Sequence, residues 1–516
     1  MTAIVDGLLP DARPSLLDRW SARVRASDTL RRRLDVSAPI LVTVLAAVLR
    51  LWDLGRPHEL VFDETYYVKD AWSQWNLGYP ADWPENADEG FASGRLPAFR
   101  ASGSFVVHPP LGKWLIGIWM WVFGPDSSVG WRIAGALLGT GTVLVVYLLA
   151  KRLSGSTVFA SVAGLLIAVD GLAIVLSRVA LLDVFLTFFG TLAFLFAVID
   201  RSRHPDRLAG LIAAHGEDRI GGIGPVLWNR PWLIAAGAAA GAATAGKWSG
   251  LYVLAAIGVY AVVSDALARR RAGVALWTWG ALGQGAASFV LLVPVAGVVY
   301  LASWTGWLTS SGGYDRQASS NPWESLWIYH QAIYAFHVGL TTPHSYASPA
   351  WQWPLLIRPT SMYWHQDKLG EAGCAWASGC VQAISSIPNP LIWWAGIAAA
   401  VYLVVAYIRR RDWRHAVVLI ALAGTYVPWL LFPERTIFQF YTIAMVPFTV
   451  LALTFALREV AGHRHTDARR RLAGQRVVWV FLGVAVVLSA FWYPVWTGMP
   501  VPYTFWLLHN WIPTWI

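Results

Sequence analysis

The sequence is poor in charged residues and in cysteine, and it lacks the short motifs that bind nucleotides or structural metals. Only 14% of its 516 residues are charged, and it contains two cysteines. It has no glycine-rich phosphate loop, no zinc-ligand spacing, no internal repeat and no low-complexity linker. These absences argue against a nucleotide-driven pump and against a soluble enzyme that uses a nucleotide-activated sugar.

Hydrophobic residues and tryptophan are abundant instead. Hydrophobic residues make up 56% of the chain, there are 32 tryptophans, and the mean hydropathy is +0.48. This composition is typical of an all-α polytopic membrane protein, with tryptophan concentrated where lipid meets water. The net charge is +10, but the basic residues lie in clusters between hydrophobic runs, so we predict no nucleic-acid partner and a lipid bilayer as the environment.

Apolar length and basic clusters together predict the topology. An arginine-rich tail, residues 1–35, precedes the first apolar run, which indicates a cytoplasmic N-terminus followed by an uncleaved anchor. We predict a multi-pass plasma-membrane protein with the catalytic unit in 36–516 and large extracytoplasmic loops at 55–128 and 303–389. About eleven spans are expected: 36–54, 129–150, 157–175, 181–199, 232–247, 250–268, 275–302, 390–408, 415–432, 437–457 and 477–496.

The two outer loops carry further expectations. The stretch 109–123 is apolar but short, and we predict a juxtamembrane helix lying in the interface. Cys374 and Cys380 lie six positions apart in the second loop, a spacing that fits a small disulfide-closed ring in an oxidising compartment. Two free buried thiols are the alternative.

Asp63 and Glu64 form a carboxylate pair just after the first predicted span. Carboxylates at a bilayer surface are costly unless water, protein or a substrate faces them, so the pair is a candidate functional site. The structural alternative is a turn whose acids cap a helix.

Four cations on the predicted outer side contradict the positive-inside trend: Arg178, Lys247, Arg358 and Arg435. A bound anion would explain them, and a lipid phosphate is the natural candidate at this surface. The alternative is snorkelling side chains and internal ion pairs, such as Arg178 with Asp183 or Glu434 with Arg435.

Four motifs in order resemble those of the protein O-mannosyltransferases, most closely the actinobacterial branch: Phe62-Asp63-Glu64, His108-Pro109-Pro110-Leu111-Gly112-Lys113, residues 177–183 and Gly246-Lys247-Trp248. The resemblance covers nearly the whole chain from about residue 36. The second outer loop is too short for the β-trefoil MIR module of the fungal and animal enzymes. The resemblance implies the GT-C glycosyltransferase fold, a polyprenyl-phosphate mannose donor, and Ser or Thr of secreted proteins as acceptor.

The resemblance also implies roles for individual residues. Asp63 would be the general base of a single inverting displacement, and Glu64 would hold the acceptor peptide or tune Asp63. The outer cations Arg435, Lys247, Arg358 and Arg178 would hold the donor phosphate. Further residues expected to line the site are His108, Asp183 and Trp353.

Alternatives remain open at this point. A GT-C enzyme acting on a glycan or lipid acceptor would share the base, whereas a transporter or flippase would be expected to show inverted repeats. We predict that no cofactor is required. Ligands for a divalent metal could nevertheless come from Asp63, Glu64, Asp183 and His108. Association with the export machinery is a further expectation.

Overall fold

A computed structural model describes residues 16–215, 222–463 and 466–516, and most of these residues are helical. The first half contains α1 Leu16–Ala26, α2 Asp28–Leu51, α3 Glu64–Leu77, α4 Ala87–Ser93, α5 Leu111–Phe123, α6 Ser128–Ser154, α7 Thr157–Ala168, α8 Gly171–Arg178, α9 Asp183–His215 and α10 Pro231–Gly246. The second half contains α11 Gly250–Arg271, α12 Trp277–Ser303, α13 Thr305–Thr309, α14 Pro322–Gly339, α15 Pro390–Arg410, α16 Trp413–Tyr426, α17 Val446–Ala461, α18 Ala468–Thr497 and α19 Tyr503–Leu507.

The predicted polytopic helical architecture is confirmed. Among the described residues, eight helices are long and apolar enough to cross a membrane, or nine if α7 and α8, which meet at 58°, form one broken span. The remaining two predicted spans correspond to α10 and α17, which are apolar but only 16 residues each. The first predicted span, 36–54, differs from the structure, because α2 begins at Asp28, within the basic tail, with Ser27 as its N-cap.

Local sequence signals account for the ends of the spans. The hydroxyl of Ser127 accepts a hydrogen bond from the amide of Gly130 at the start of α6, and Gly155 ends the helix in the left-handed conformation. Asn389 caps α15 in the same way, and its side-chain amide also donates to Ser489 of α18. Caps of this kind satisfy backbone groups that no lipid could bond.

Small residues let α10 approach its neighbours closely. A Cβ on Gly237 would lie 2.5 Å from the Leu292 carbonyl oxygen of α12, and one on Gly241 would lie 2.5 Å from that of Ala296. Such close backbone packing is how small residues join helices in membranes. It fixes the end of α10, where Lys247 follows.

The segments 55–128 and 303–389, predicted as outer loops, carry helices, as predicted, and the second contributes two strands to a sheet that was not predicted. The stretch 109–123 forms the 13-residue helix α5. Three antiparallel strands, β1 Ser361–Asp367, β2 Cys380–Ser385 and β3 Val501–Pro502, pair in the order β1-β2-β3. A disulfide joins Cys374 and Cys380, the expected partners, with Cα atoms 5.7 Å apart.

Candidate active site

Asp63 lies between α2 and α3 and is held without a capping role. It occupies the N-cap position of α3, yet its side chain makes no capping hydrogen bond. Burial raises the pKa of the Asp63 carboxyl to about 6, with Lys247 opposing the rise and Asp183 adding to it. A partly buried carboxylate that caps nothing does not fit the helix-cap alternative, and a raised pKa beside charged neighbours is typical of a functional group.

Asp183 and Lys247 form a buried ion pair near Asp63. Asp183 is the first residue of α9, and its two carboxylate oxygens lie 2.8 and 2.9 Å from the Lys247 ammonium. Both residues are about 95% or more buried, and the ammonium sits 3.9 Å from the centroid of the Tyr441 ring. The pair and the tyrosine hold the Lys247 charge in one place.

A cavity of about 520 Å³ opens beside Lys247. Lys247, Arg435, His108 and His337 line it and lie close to one another, and we call this part the polar end of the cavity. The rest of its wall is mostly aliphatic and aromatic, including Leu251, Leu254, Val293, Ala296, Tyr334, Val338 and Phe432, with Thr244, Ser249 and His330 as further polar residues. A largely apolar wall that also carries cations suits a ligand with a hydrocarbon chain and an anionic head.

His337 holds Arg435 at the rim of this cavity. Arg435 donates from Nε to the His337 carbonyl at 2.9 Å, and its Nη2 lies 3.0 Å from His337 Nδ1. His337 Nε2 lies 2.9 Å from the Val107 carbonyl oxygen, so Nε2 carries the proton and Nδ1 accepts from the guanidinium. This arrangement needs a neutral imidazole, and burial together with Arg435 lowers the pKa of His337 to about 4.

His108 lies next to His337 and has an unused polar atom. The two rings are 5.3 Å apart, and the Tyr67 ring is 5.9 Å from His108 on another side. His108 Nδ1 is buried and has no hydrogen-bond partner among the described residues. Burial, reinforced by Lys247, lowers the pKa of His108 well below its usual value, so the ring is neutral.

Glu64 is placed away from any acceptor. Its side chain is completely buried in an ion pair with Arg132 of α6, at 2.8 and 2.9 Å. The same carboxylate accepts from the amides of Val61 and Ala180 at 3.0 and 2.8 Å. The expected contact between Glu64 and an acceptor peptide does not fit, because both oxygens are occupied within the protein core.

Two of the four predicted phosphate-binding cations point elsewhere. Arg178 is buried and donates to the carbonyls of Arg50, Trp52 and Asp53, so it caps the end of α2 and does not form the expected pair with Asp183. Arg358 donates to carbonyls of Ser345 and of the C-terminal segment. Only Lys247 and Arg435 of the four line the cavity.

Trp353 packs against two residues of the site. It is completely buried, donates to the Ser348 carbonyl at 2.8 Å, and packs its ring 5.9 Å from Trp429 and 6.3 Å from Tyr441. Trp429 lines the cavity, and Tyr441 lies under the Lys247 ammonium. Trp353 therefore positions two residues of the site and does not line it.

The sequence reasoning missed His337, Tyr441 and Arg132. Each lies in a segment rich in apolar or aromatic residues, where a single polar residue carries no pattern of its own.

Among the described residues, no group of three His, Cys, Asp or Glu side chains is placed to hold a metal ion. Of the four expected ligands, Glu64 is committed to Arg132 and Asp183 to Lys247.

Comparisons with known proteins agree in pointing to one family. Residues 99–212 match the family model described as dolichyl-phosphate-mannose-protein mannosyltransferase, and residues 322–515 match the C-terminal four-TMM region of protein-O-mannosyltransferase. The chain is 35% identical over 499 residues to a polyprenol-phosphate-mannose–protein mannosyltransferase of Mycolicibacterium smegmatis, covering 92% of each. It is 30% identical to that of Corynebacterium glutamicum, covering 99% of this chain and 97% of the relative.

Solved structures share the fold. The chain of the Saccharomyces cerevisiae protein O-mannosyltransferase Pmt1–Pmt2 complex, bound to the sugar donor, superposes with a TM-score of 0.69 at 16% identity, covering 98% of this chain and 94% of that one. The Archaeoglobus fulgidus oligosaccharyltransferase superposes with a TM-score of 0.51 at 13% identity, covering 90% and 56%. The predicted GT-C fold is confirmed.

Proposed function

Since this chain belongs to the protein O-mannosyltransferase family, we propose that it transfers mannose from polyprenyl-phosphate mannose to Ser and Thr hydroxyls of secreted proteins, with inversion and with Asp63 as general base. Transfer of mannose to protein follows from the family. The base, the stereochemistry and the side of the membrane are our proposals.

The observation that carries the mechanism is the Asp63 carboxyl, which is partly buried, makes no capping hydrogen bond and has a pKa raised to about 6. A serine or threonine hydroxyl is a weak nucleophile and needs a base that is ionised at neutral pH yet basic enough to take a proton. Asp63 meets both conditions. A carboxylate of ordinary pKa would be a weaker base at the same pH.

The reaction is then a single displacement. The hydroxyl oxygen forms a bond to the anomeric carbon of mannose, its proton passes to Asp63, and the bond between that carbon and the phosphate oxygen breaks. Attack opposite the leaving group inverts the anomeric centre, so one carboxylate suffices, in contrast to glycosidases with two. The departing polyprenyl phosphate gains negative charge, which preorganised cations stabilise.

Lys247 and Arg435 are the residues we assign to the phosphate. Both line the polar end of the cavity. Lys247 donates a hydrogen bond to Asp183, and Arg435 donates one to His337. The apolar remainder of the cavity suits the first isoprene units. His108 Nδ1, buried and without a hydrogen-bond partner in the described part of the chain, is available to bond the phosphate or the sugar.

Glu64 and Arg132 position the base. Arg132 also donates to the carbonyls of Pro57 and Glu59 at 2.7 and 2.9 Å, so it ties the segment before Asp63 to α6. Glu64 fixes the first turn of α3. We assign both a positioning role. With the phosphate charge met by Lys247 and Arg435, we propose that no metal is required.

The site faces the extracytoplasmic side of the plasma membrane in this proposal, with the N-terminus in the cytoplasm. The supporting observation is that Asp63, Asp183, Lys247 and Arg435 come together at one end of the bundle, away from the basic clusters. Association with the export machinery stays a prediction.

Purified protein tests the proposal. Given polyprenyl-phosphate mannose and a threonine-rich peptide, it should form α-linked mannosyl-threonine, with and without EDTA. Transfer to a glycan or lipid acceptor but not to the peptide would contradict the protein acceptor and favour another GT-C activity. Loss of transfer in EDTA, restored by a divalent ion, would overturn the metal-independent mechanism.

A further inference from the structure

A second cavity of about 520 Å³ lies between the segment 53–59 and the sheet of the second outer loop. Its lining is polar, unlike that of the cavity beside Lys247. From the sheet come Tyr363, His365 and Asp367 of β1 with Gln382 of β2. We name this cavity the polar cleft.

The sheet presents one face to the polar cleft. Residues 363, 365 and 367 alternate along β1, so their side chains lie on the same face, and Gln382 pairs with His365 across the strands. The intervening Trp364 packs against Trp506 on the opposite face, with ring centroids 6.1 Å apart. The disulfide between Cys374 and Cys380 closes the connection between β1 and β2.

The opposite wall of the polar cleft is the chain that leads to the base. Glu59 accepts a hydrogen bond from the Tyr363 hydroxyl at 2.6 Å, which joins this wall to the sheet. Asp63 follows Glu59 by four positions, and that length of chain spans at most about 14 Å. Arg132 holds the carbonyls of Pro57 and Glu59 and also the carboxylate of Glu64. One guanidinium therefore fixes both the cleft wall and the residue next to the base.

The polarity and charge of the polar cleft indicate its occupant. Three carboxylates line it, Asp53, Glu59 and Asp367, against one guanidinium, Arg56, which pairs with Asp53 at 2.7 Å. His365 lies 3.1 Å from Asp367, and the cleft keeps an excess of negative charge. A hydrocarbon chain would be poorly placed there, whereas backbone amides, hydroxyl groups and cationic side chains would find acceptors. The two cavities thus differ as the two substrates of a lipid-to-protein transfer differ, one apolar and one polar.

We infer that the polar cleft binds the acceptor polypeptide in an extended conformation, a few residues away from the serine or threonine that is modified, and that it favours acceptors with basic flanks. The inference rests on the proposed function. It adds a binding site outside the catalytic residues and accounts for the placement of the sheet beside the segment 53–59.

Two acceptors and a charge reversal test the polar cleft. A long peptide with one threonine and lysine flanks reaches both the base and the cleft. A single threonine whose amino and carboxyl groups are capped, here called blocked threonine, reaches the base alone. Asp367→Lys should raise the KM of the long peptide by roughly tenfold, because it places a cation where the flank binds. The rate with blocked threonine and the donor KM should not change. Asp126→Lys, which reverses an exposed acid elsewhere in the outer loops, should leave all three values unchanged.

Each result supports or contradicts peptide binding in the polar cleft. An unchanged KM for the long peptide, or an equal change for both acceptors, would overturn the inference. A benzophenone side chain about five residues from the threonine should cross-link to 53–59 or 361–382 of the unmodified enzyme, and cross-linking only elsewhere would also overturn it. Failure of the proposed function looks different, because the unmodified enzyme would then mannosylate neither acceptor.

Discussion

Asp63 is the residue on which the proposed chemistry depends. Asp63→Asn keeps the size of the side chain but cannot accept the hydroxyl proton, so we expect the transfer rate to fall by roughly 10²–10⁴-fold. Donor binding should be nearly unchanged, because the phosphate contacts belong to Lys247 and Arg435. Single-turnover assays and a donor-binding measurement separate the two effects.

A matched control is available in the same outer loop. Asp126 is exposed, so Asp126→Asn removes a similar charge without touching the cavity and should retain full activity. Near-normal turnover by Asp63→Asn would remove Asp63 from the mechanism. An equal loss in donor affinity and in rate would assign it to binding.

The raised pKa of Asp63 makes a pH prediction. The base acts only when ionised, so activity should be lost as the pH falls through the pKa of about 6 and should level off above it. His337, with its pKa lowered to about 4, stays neutral throughout this window. The dependence of kcat/KM on pH, measured with protein that remains folded, checks this. A profile that is flat down to about pH 5 would contradict an active base of this pKa.

His337 offers a test of the phosphate site through the hydrogen bond that it accepts from Arg435. His337→Asn keeps a side-chain acceptor for Arg435, whereas His337→Leu removes it and leaves the guanidinium less fixed. We expect His337→Leu to raise the donor KM and slow transfer, in the same direction as Arg435→Ala, whose loss should be roughly 2–4 kcal/mol. His337→Asn should recover part of both. Equal donor KM values and equal transfer rates for His337→Asn and His337→Leu would show that the hydrogen bond to Arg435 is unimportant.

At the scale of elements, the start of α3 depends on a buried ion pair. Arg132→Met would leave the Glu64 carboxylate buried without its cation, which typically costs about 3–5 kcal/mol. We therefore expect a clear loss of thermal stability. The double variant Arg132→Met with Glu64→Gln should regain part of it, because no charge is then left buried. If the single and double variants unfold at the same temperature, the pair is not what stabilises this turn.

The helices were predictable from the sequence, whereas the sheet was not. Each predicted span has a helix, because about twenty apolar residues in a bilayer leave the backbone few alternatives. β1 and β2 are short, flanked by glycine, and stabilised by each other and by the disulfide, which a single segment does not reveal. The start of α2 was also missed, since the helix extends through the charged residues before the apolar run.

At the scale of the molecule, the fold decides which of the predicted site residues lie together. Asp63, His108, Asp183 and Lys247 lie far apart in the sequence, and the fold brings them to one end of the bundle. Arg178 lies within the motif 177–183, whereas Arg358 was chosen for its sign and predicted side, and both turn to backbone carbonyls. The direction of a side chain is a tertiary property, so neither charge nor sequence position could assign it. For the same reason Glu64, adjacent to the base, proved to belong to the core.

The orientation of the whole bundle in the membrane is the remaining prediction. We expect the N-terminus and the basic clusters, including Arg269-Arg270-Arg271, on the cytoplasmic side, since positive residues are retained there. The loop that contains Asp63 should then lie outside. In a background with Cys374 and Cys380 replaced by serine, a cysteine at position 92 or 270 gives two exposed probes on opposite ends. A membrane-impermeant maleimide on intact cells should label position 92 and not position 270, and permeabilised cells should label both. Labelling of position 270 in intact cells, with position 92 protected, would invert the topology and place Asp63, Lys247 and Arg435 on the cytoplasmic side, where no secreted acceptor could reach them.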